Sequence, residues 1–274
     1  MTAVAPEAKR RRTPRISAGR LLSPDVRALL VIVAAVVVAQ LPFLLGFFDP
    51  NPLGPRSLLV SGARPGLLLG SNAADPNDGY ISQALGHRAA LDLLGGHLPW
   101  WNPYEGTGAP LAGETQSAAL FPPTLLTRLS DGQLYEQMLL EMVAGLSTYL
   151  LLRRICVNRW ASTAAAIAFA LNGVFAWFYA PNVHPVAFLP LLLLGIELAY
   201  AASVSGRRGG WWLIAVAGAL SFYAGFPEVA YIDGLLGFCW FAWRCSCAGR
   251  NRLKVLARKA AAGVFVGFLL SRRY

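Results

Sequence analysis

The residues best suited to chemistry lie around Asp78. The segment Asp75-Pro76-Asn77-Asp78-Gly79-Tyr80 precedes a helix that we predict over residues 80–94, ending at Gly95-Gly96. A carboxylate at the start of a helix can act as a general base. It can also simply cap the helix by accepting a backbone N–H bond, which stabilises the helix by about 1 kcal/mol. Both interpretations of Asp78 stay open on residue type alone.

Three neighbours of Asp78 are candidates for binding a phosphate or a metal ion: Asp75, His87 and Arg88. Cations favour the negative charge that develops on a leaving phosphate, which suits His87 and Arg88. Arg88 is also spaced to pair with Asp92 one helical turn later, as ordinary surface residues do. The spacing of Asp75 and Asp78 indicates a divalent cation only weakly. No cofactor is predicted firmly, and a divalent cation stays open.

A cluster of aromatic, proline and glycine residues follows at 98–110. Trp and Tyr faces stack on apolar faces of sugars or lipids, while Asn and Glu hydrogen-bond hydroxyl groups. The candidates for such a platform are Trp100, Trp101, Asn102, Tyr104 and Glu105. The same composition is typical of an aromatic belt at the level of the lipid headgroups. The two interpretations are equally supported by the residues.

Five acids lie inside apolar segments: Glu136, Glu141, Glu197, Glu228 and Asp233. An ionisable group inside a membrane costs about 2.5–3.5 kcal/mol even on insertion scales, so it indicates a function by default. Glu141 and Asp233 lie deepest in their segments and are the candidates. Glu136 and Glu228 fall near segment ends, as hydrated interface residues do, and Glu197 is suited to helix packing.

The elements that must position these residues are apolar. The chain is 55% hydrophobic and 14% charged, with mean hydropathy +0.48, whereas an ordinary soluble domain is about 25% charged. Seven apolar segments occur, at about residues 28–48, 133–152, 161–180, 186–203, 211–226, 229–243 and 260–270. Because about 20 apolar residues cross a bilayer, we predict an all-α, polytopic membrane protein with about seven spans. A kinked or re-entrant pair at Pro227 stays open.

The charge pattern predicts the orientation. Residues 1–27 carry seven basic residues against two acids, whereas residues 49–132 carry seven acids against four arginines. Every second connection after that is basic, as the positive-inside rule requires for a cytoplasmic N-terminus and an outer loop at 49–132. The net charge of +10 is therefore interpreted as a topology signal, and nucleic acid is not predicted as a partner. Arg10-Arg11-Arg12 loosely resembles a twin-arginine export signal, but segment 28–48 is too long for one, and we predict a retained span.

The domain organisation follows from these segments. We predict a basic, disordered cytoplasmic tail at 1–27, a first transmembrane helix at 28–48, and an extracytoplasmic loop with juxtamembrane helices at 49–132. The remaining transmembrane helices occupy 133–270. The last apolar run, 260–270, is too short to cross a bilayer and meets two arginines within 271–274, which predicts a truncated end.

Several motifs together resemble a known family. They are Asn77-Asp78-Gly79, Gly96-His97-Leu98-Pro99-Trp100-Trp101-Asn102-Pro103-Tyr104, Gly108-Ala109-Pro110, Gln116-Ser117-Ala118-Ala119-Leu120-Phe121-Pro122-Pro123 and Gly225-Phe226-Pro227-Glu228. With the predicted topology, this arrangement resembles the bacterial YfhO-like membrane proteins over about residues 28–270. Members of that family are usually longer, with more spans, so the resemblance implies that this chain is an N-terminal portion.

YfhO-like proteins are similar to the GT-C glycosyltransferases, which act at the outer face of the membrane. The resemblance implies a GT-C-like fold in the bacterial cytoplasmic membrane and a polyprenyl-phosphate-linked sugar as donor. It also implies a catalytic acid in the first outer loop, at the position of Asp78. The expected activity is transfer of a hexose or pentose to a cell-envelope polymer or lipid, with membrane lipids as the other partner.

Two other functions stay open. One is a non-enzymatic component of lipid or polysaccharide translocation, in which Glu141, Glu197 and Asp233 would line a polar route. The other is an inactive, truncated remnant. The positions of the three acids in the bundle distinguish translocation from glycosyl transfer.

Overall fold

A computed structural model describes residues 23–47, 78–177, 181–247 and 250–271. Ten α-helices make up most of this part of the chain, as the all-α prediction requires. They are α1 (Pro24–Ala39), α2 (Leu41–Leu44), α3 (Ala84–Leu94), α4 (Gly132–Arg154), α5 (Arg159–Ala170), α6 (Gly173–Trp177), α7 (Leu189–Val204), α8 (Trp212–Tyr223), α9 (Pro227–Cys247) and α10 (Arg250–Ser271). Most of the predicted tail, residues 48–77 of the first span and outer loop, and residues 272–274 lie outside the described ranges.

Shorter elements fill the connections. A π-helix, Asp78–Gln83, runs directly into α3, and 3₁₀ helices occupy Thr115–Ser117, Pro122–Arg128 and Pro181–Phe188. The strands β1 (Trp101–Asn102) and β2 (Ala109–Pro110) pair in antiparallel fashion, with Trp101 opposite Pro110.

Each predicted apolar segment contains a helix, but several helix ends differ from the prediction. Helix α1 begins at Pro24, inside the predicted tail, because the side chain of Ser23 caps it by accepting a bond from the N–H of Val26. The segment 161–180 is broken, because Asn172 accepts a bond from the N–H of Val174 and starts α6. Helix α10 begins at Arg250, ten residues before the predicted apolar run.

One helix among the described residues is long and apolar enough to cross a membrane by composition. It is Val183–Val204, with mean hydropathy 1.9, and Trp212–Tyr223 is a shorter apolar helix. The other helices either are shorter than a span or carry more polar residues than that criterion allows.

Helix α4 lies at the centre of the first half of the bundle. It packs against α1, α5 and α7, and the contact with α1 and α5 is close because Gly145 lies there. A Cβ at Gly145 would be 2.8 Å from Cγ2 of Ile32 and 3.1 Å from Cβ of Ala170. Small residues allow helix backbones to approach in this way. In the second half, α8 packs against both α7 and α10.

The basic connections lie at one end of this bundle. Arg153, at the end of α4, contacts Asp25 at the start of α1 with an N–O distance of 3.3 Å. Leu151 packs with Leu213 at the start of α8, and Lys259 of α10 donates to a backbone carbonyl in the α7–α8 connection, 2.7 Å away. The alternation of basic and non-basic connections in the sequence thus corresponds to two ends of one helical bundle.

Candidate functional site

The described part of the predicted outer loop packs onto the opposite end of the bundle. Phe121 is fully buried there with Leu140 and Phe188, and its ring meets that of Phe188 edge-on at 5.8 Å between centroids. Helix α3 is held to the 3₁₀ helix Pro122–Arg128 by His87, whose Nδ1 lies 2.8 Å from the carbonyl oxygen of Thr127. Residues 78–131 of the loop thus pack on the ends of the helices, and this segment is called the cap below.

A small polar pocket lies between this cap and the helices. Its walls include Ser82 and Gln83 from the π-helix, Gln116 from the loop, and Glu136 and His184 from the bundle. The pocket has a volume of about 20 Å³, which is enough for about one water molecule or one hydroxyl group. It is the place where the loop that carries Asp78 meets polar groups of the bundle.

Glu136 and His184 form the inner wall of the pocket. Each is only 5% exposed, and Oε1 of Glu136 lies 4.0 Å from Nδ1 of His184. The His184 ring also stacks on Phe121, with centroids 6.2 Å apart. The interpretation of Glu136 as a hydrated interface residue is wrong, because the cap covers the end of α4 where it lies.

His184 was not singled out from the sequence. The signal for it is the uncharged connection Pro181-Asn182-Val183-His184-Pro185, in which one histidine lies between two apolar segments. Sequence spacing alone does not reveal its partner, because Glu136 is 48 residues away along the chain.

Asp78 is the first residue of the π-helix Asp78–Gln83. In a π-helix, residue i bonds to residue i+5, so Asp78 lies one turn before Ser82 and Gln83, which line the pocket. The helix predicted at 80–94 is present and ends at Leu94, with Gly95 and Gly96 after it. The side chain of Asp78 and all of Asp75 lie outside the described positions, so the cap and base interpretations of Asp78 both stay predictions.

His87 and Arg88 have partners within the loop. Because a carbonyl oxygen only accepts, the Nδ1 of His87 carries the hydrogen in its contact with Thr127, and Nε2 of the neutral ring is an acceptor. Arg88 donates to Oδ1 of Asp92 at 2.6 Å, as the i,i+4 spacing predicted, and its guanidinium lies 5.2 Å from the centre of the Tyr104 ring. Its Nε is buried without a hydrogen-bond partner among the described residues.

The predicted platform is a hairpin with exposed rings. Trp100 and Trp101 are half exposed and Tyr104 is mostly exposed. Asn102 is instead buried, and its side chain accepts from the N–H of Tyr104 and donates to Glu105. The indole of Trp101 lies against Gly108, whose φ is +99° and where a Cβ would be 2.5 Å from Nε1 of Trp101.

Glu141 connects two helices. Both of its carboxylate oxygens accept from Nε2 of Gln40 at 3.0 Å, and Oε1 also accepts from Nε2 of Gln137 at 3.1 Å. Gln40 follows α1 and Gln137 belongs to α4, so this acid holds the first helix against the central one.

The other two acids of the suggested polar route have different surroundings. Glu197 accepts two bonds from Arg244 and one from Nε1 of Trp240, which joins α7 to α9. Asp233 instead lines a large apolar cavity between α7, α8, α9 and α10. Among the described residues, no hydrogen bond or ion pair connects Glu141, Glu197 and Asp233 to one another.

No group of three or more His, Cys, Asp or Glu side chains that could hold a metal ion occurs in the described part of the chain. The option of a divalent cation at Asp75 and Asp78 concerns side chains outside that part.

The chain matches no protein-family model, no curated protein and no solved structure. The resemblance to the YfhO-like proteins therefore depends on the sequence motifs alone.

Proposed function

We propose that this chain is a polytopic membrane protein of the bacterial cytoplasmic membrane and that it acts as a GT-C-like glycosyltransferase. Support for the membrane comes from the bundle surface, where α1, α9 and α10 expose many large apolar side chains. These include Leu30, Val38, Phe238, Val264 and Phe265, each more than half exposed. Soluble monomers rarely expose contiguous apolar patches larger than a few hundred Å², whereas lipid covers such faces.

The orientation in this proposal follows the two ends of the bundle. The end that holds the basic connections lies in the cytoplasm, and the cap formed by residues 78–131 lies outside. The reaction site is then at the outer face, where the cap covers the helices. A donor carried by a polyprenyl chain reaches this face from within the membrane.

The observation that carries the proposed reaction is the polar pocket under the cap. The helix that begins with Asp78 supplies part of its wall, and the buried pair Glu136 and His184 supplies its inner side. A pocket of hydroxyl size next to a carboxylic acid and an imidazole suits an acceptor hydroxyl. The sugar ring stays outside it, and the exposed rings of Trp100 and Trp101 are the stacking partners assigned to it.

In the proposed reaction, the Asp78 carboxylate removes the proton of the acceptor hydroxyl. The hydroxyl oxygen forms the new bond to the anomeric carbon, and the bond from that carbon to the phosphate oxygen breaks, with its electron pair leaving on the polyprenyl phosphate. Arg88 is the cation assigned to this phosphate, because guanidinium donors stabilise the negative charge that develops on a leaving phosphate. His87 positions α3 through its bond to Thr127.

The test is transfer from radiolabelled polyprenyl-phosphate hexoses and pentoses by the full-length chain in membrane vesicles. Asp78→Asn should lower the rate at least about 100-fold, the usual contribution of a general base. Asp131→Asn is the matched control, because it makes the same change in the same loop at the start of α4. Undiminished transfer by Asp78→Asn refutes the assignment.

A second pair of variants tests the pocket itself. Glu136→Gln keeps the size of the side chain and removes its charge, and we expect transfer to fall about tenfold because the acceptor loses one charge-assisted partner. If Asp78→Asn abolishes transfer while Glu136→Gln and His184→Gln leave it unchanged, the acceptor binds elsewhere in the cap.

The orientation is tested by cysteine labelling in intact cells. Cys156 is exposed in the connection after α4, and Ser130 is exposed at the end of the cap. In a background with the other three cysteines replaced by serine, a membrane-impermeant maleimide should label Ser130→Cys at once and Cys156 only after permeabilisation. Labelling of Cys156 in intact cells would reverse the topology.

A further inference from the structure

The second half of the bundle encloses a large cavity. It has a volume of about 550 Å³ and lies between α7, α8, α9 and α10. Cavities of about 300–1,000 Å³ are the usual size of small-molecule sites. Leucine, isoleucine, phenylalanine, alanine and glycine residues form most of the wall, and the only polar side chains among the described residues that line it are Ser221 and Asp233.

Neither of these two polar groups has a partner in the part of the chain that the structure describes. Asp233 is 4% exposed, and neither its Oδ2 nor the Oγ of Ser221 has a hydrogen-bond partner among the described residues. Buried polar groups in native proteins are nearly always hydrogen-bonded, so each exception needs an explanation, such as a bound molecule. A carboxylic acid in an apolar cavity is costly to bury without a donor or a cation.

Two cations of the helices around the cavity are bound to other groups. Arg244, on the same helix as Asp233, is bound to Glu197, and Lys259 of α10 donates to backbone carbonyls of the α7–α8 connection. No ion pair within the described ranges includes Asp233. Within the described part of the bundle, this carboxyl group therefore has no donor, and a bound molecule can supply one.

The rim of the cavity is exposed and apolar. Phe238 of α9 is 65% exposed and Val264 of α10 is 64% exposed, and Phe222 and Phe268 are about half exposed. Among the described residues that line the cavity, the only polar side chains that an entering molecule can meet are Asp233 and Ser221. In the proposed membrane orientation this rim faces lipid. Only this route of entry from the lipid rests on the proposed function.

We propose that the cavity between α7, α8, α9 and α10 binds a long-chain amine, with the hydrocarbon chain in the apolar part and the amine donating to Asp233 and Ser221. An amine provides both the positive charge and the hydrogen-bond donors that a buried carboxylate requires. A phosphate head group would place two negative groups together. This cavity is therefore distinct from the site of the polyprenyl phosphate donor.

The experiment measures binding of tritiated dodecylamine to the full chain in lipid nanodiscs, with empty nanodiscs as the background. We expect saturable binding of one molecule per chain, with dodecanol and dodecyl phosphate each competing at least about tenfold more weakly than unlabelled dodecylamine. Dodecanol tests the charge of the head group, and dodecyl phosphate tests its sign. Equal competition by either compound overturns the proposal.

Two variants locate the site. Asp233→Asn should weaken the binding of dodecylamine about tenfold and change the affinity for dodecanol, measured by competition, less than threefold. Glu228 is an exposed acid on the same helix, and Glu228→Gln should change neither affinity. Gly218→Leu should abolish binding, because Gly218 lines the cavity and a Cβ there meets nothing within 4 Å. Unchanged dodecylamine binding by both Asp233→Asn and Gly218→Leu overturns the proposal.

Folding and assembly are checked in the same samples. Circular dichroism and size-exclusion chromatography should give the same helix content and particle mass for wild type and variants. If wild type is a dimer that Gly218→Leu dissociates, a second copy occupies the cavity and the proposal is wrong.

Discussion

Two buried carboxylic acids of the bundle, Glu141 and Asp233, have opposite surroundings. Where α1, α4 and α5 pack, Glu141 accepts from Gln40 and Gln137 and holds two helices together. Where α7 to α10 meet, Asp233 has no partner among the described residues and lines a cavity of about 550 Å³. The first acid completes the packing of the protein, whereas the second is available to something outside it.

Two glycines near these acids differ in the same way. A Cβ at Gly145 would be 2.8 Å from Ile32, while a Cβ at Gly218 would meet nothing within 4 Å. Gly195 in the second half is packed as closely as Gly145, because a Cβ there would be 2.8 Å from the backbone N of Ile214, so the unfilled space is local to the cavity beside Gly218. An acid that is conspicuous in the sequence can therefore be structural or functional, and only its packing distinguishes the two.

The largest expected change in stability is at Glu141, where α1 and α4 pack together. Glu141→Ala should lower the free energy of unfolding by about 3 kcal/mol, because it leaves the amides of Gln40 and Gln137 without their acceptor and opens space at the contact of α1 with α4. Glu141→Gln keeps one acceptor oxygen and should cost about 1 kcal/mol. The measurement is unfolding in detergent micelles followed by tryptophan fluorescence. Wild-type stability in Glu141→Ala would contradict the structural role of this acid.

A change in stability of the opposite sign is expected at Asp233, in the cavity between α7, α8, α9 and α10. Asp233→Leu should raise the free energy of unfolding by about 1–2 kcal/mol, because it replaces a buried carboxyl group, which has no partner among the described residues, by an apolar side chain that fills part of the cavity. The same unfolding assay checks this, with Glu228→Gln as the exposed control on α9. A loss of stability in Asp233→Leu would mean that Asp233 supports the fold, as Glu141 does.

The smallest effects come from one substitution made in both halves. Gly145→Ala should destabilise by about 1 kcal/mol, because overpacking at Ile32 and Ala170 outweighs the gain in helix propensity. Gly218→Ala should stabilise by up to about 1 kcal/mol, because only the propensity term acts. Thermal unfolding midpoints of the two variants are compared directly. If both unfolding midpoints shift in the same direction, the packing at Gly145 and at Gly218 does not differ as described.

Much of the helical framework could be predicted from the sequence, because long apolar segments and charged connections are local signals. The helix that follows Asp78 and its end at Gly95 were predicted from local residues alone, as was the pair Arg88 and Asp92. The predicted ends of the helices were less accurate than their positions. The segment 161–180 breaks at Asn172 because a single side chain caps a new helix there, and an average of hydropathy over the segment hides that residue.

The candidate site was predicted only in part. The motifs drew attention to the loop and to Asp78, but the inner wall of the pocket, Glu136 and His184, comes from two distant parts of the chain. Glu136 was misinterpreted because its position near the end of an apolar segment predicts hydration. The cap that excludes water from it is a tertiary contact, made by Phe121 and its neighbours.

The sequence by itself determined the all-α class, the positions of the helices and the alternation of basic connections, because each of these depends on residues close together along the chain. Only the tertiary structure decided which acids are paired. Glu141, Glu197 and Asp233 are alike in sequence, as single acids in apolar segments. They differ because their partners lie on other helices, and a bond between helices is decided by how the helices pack.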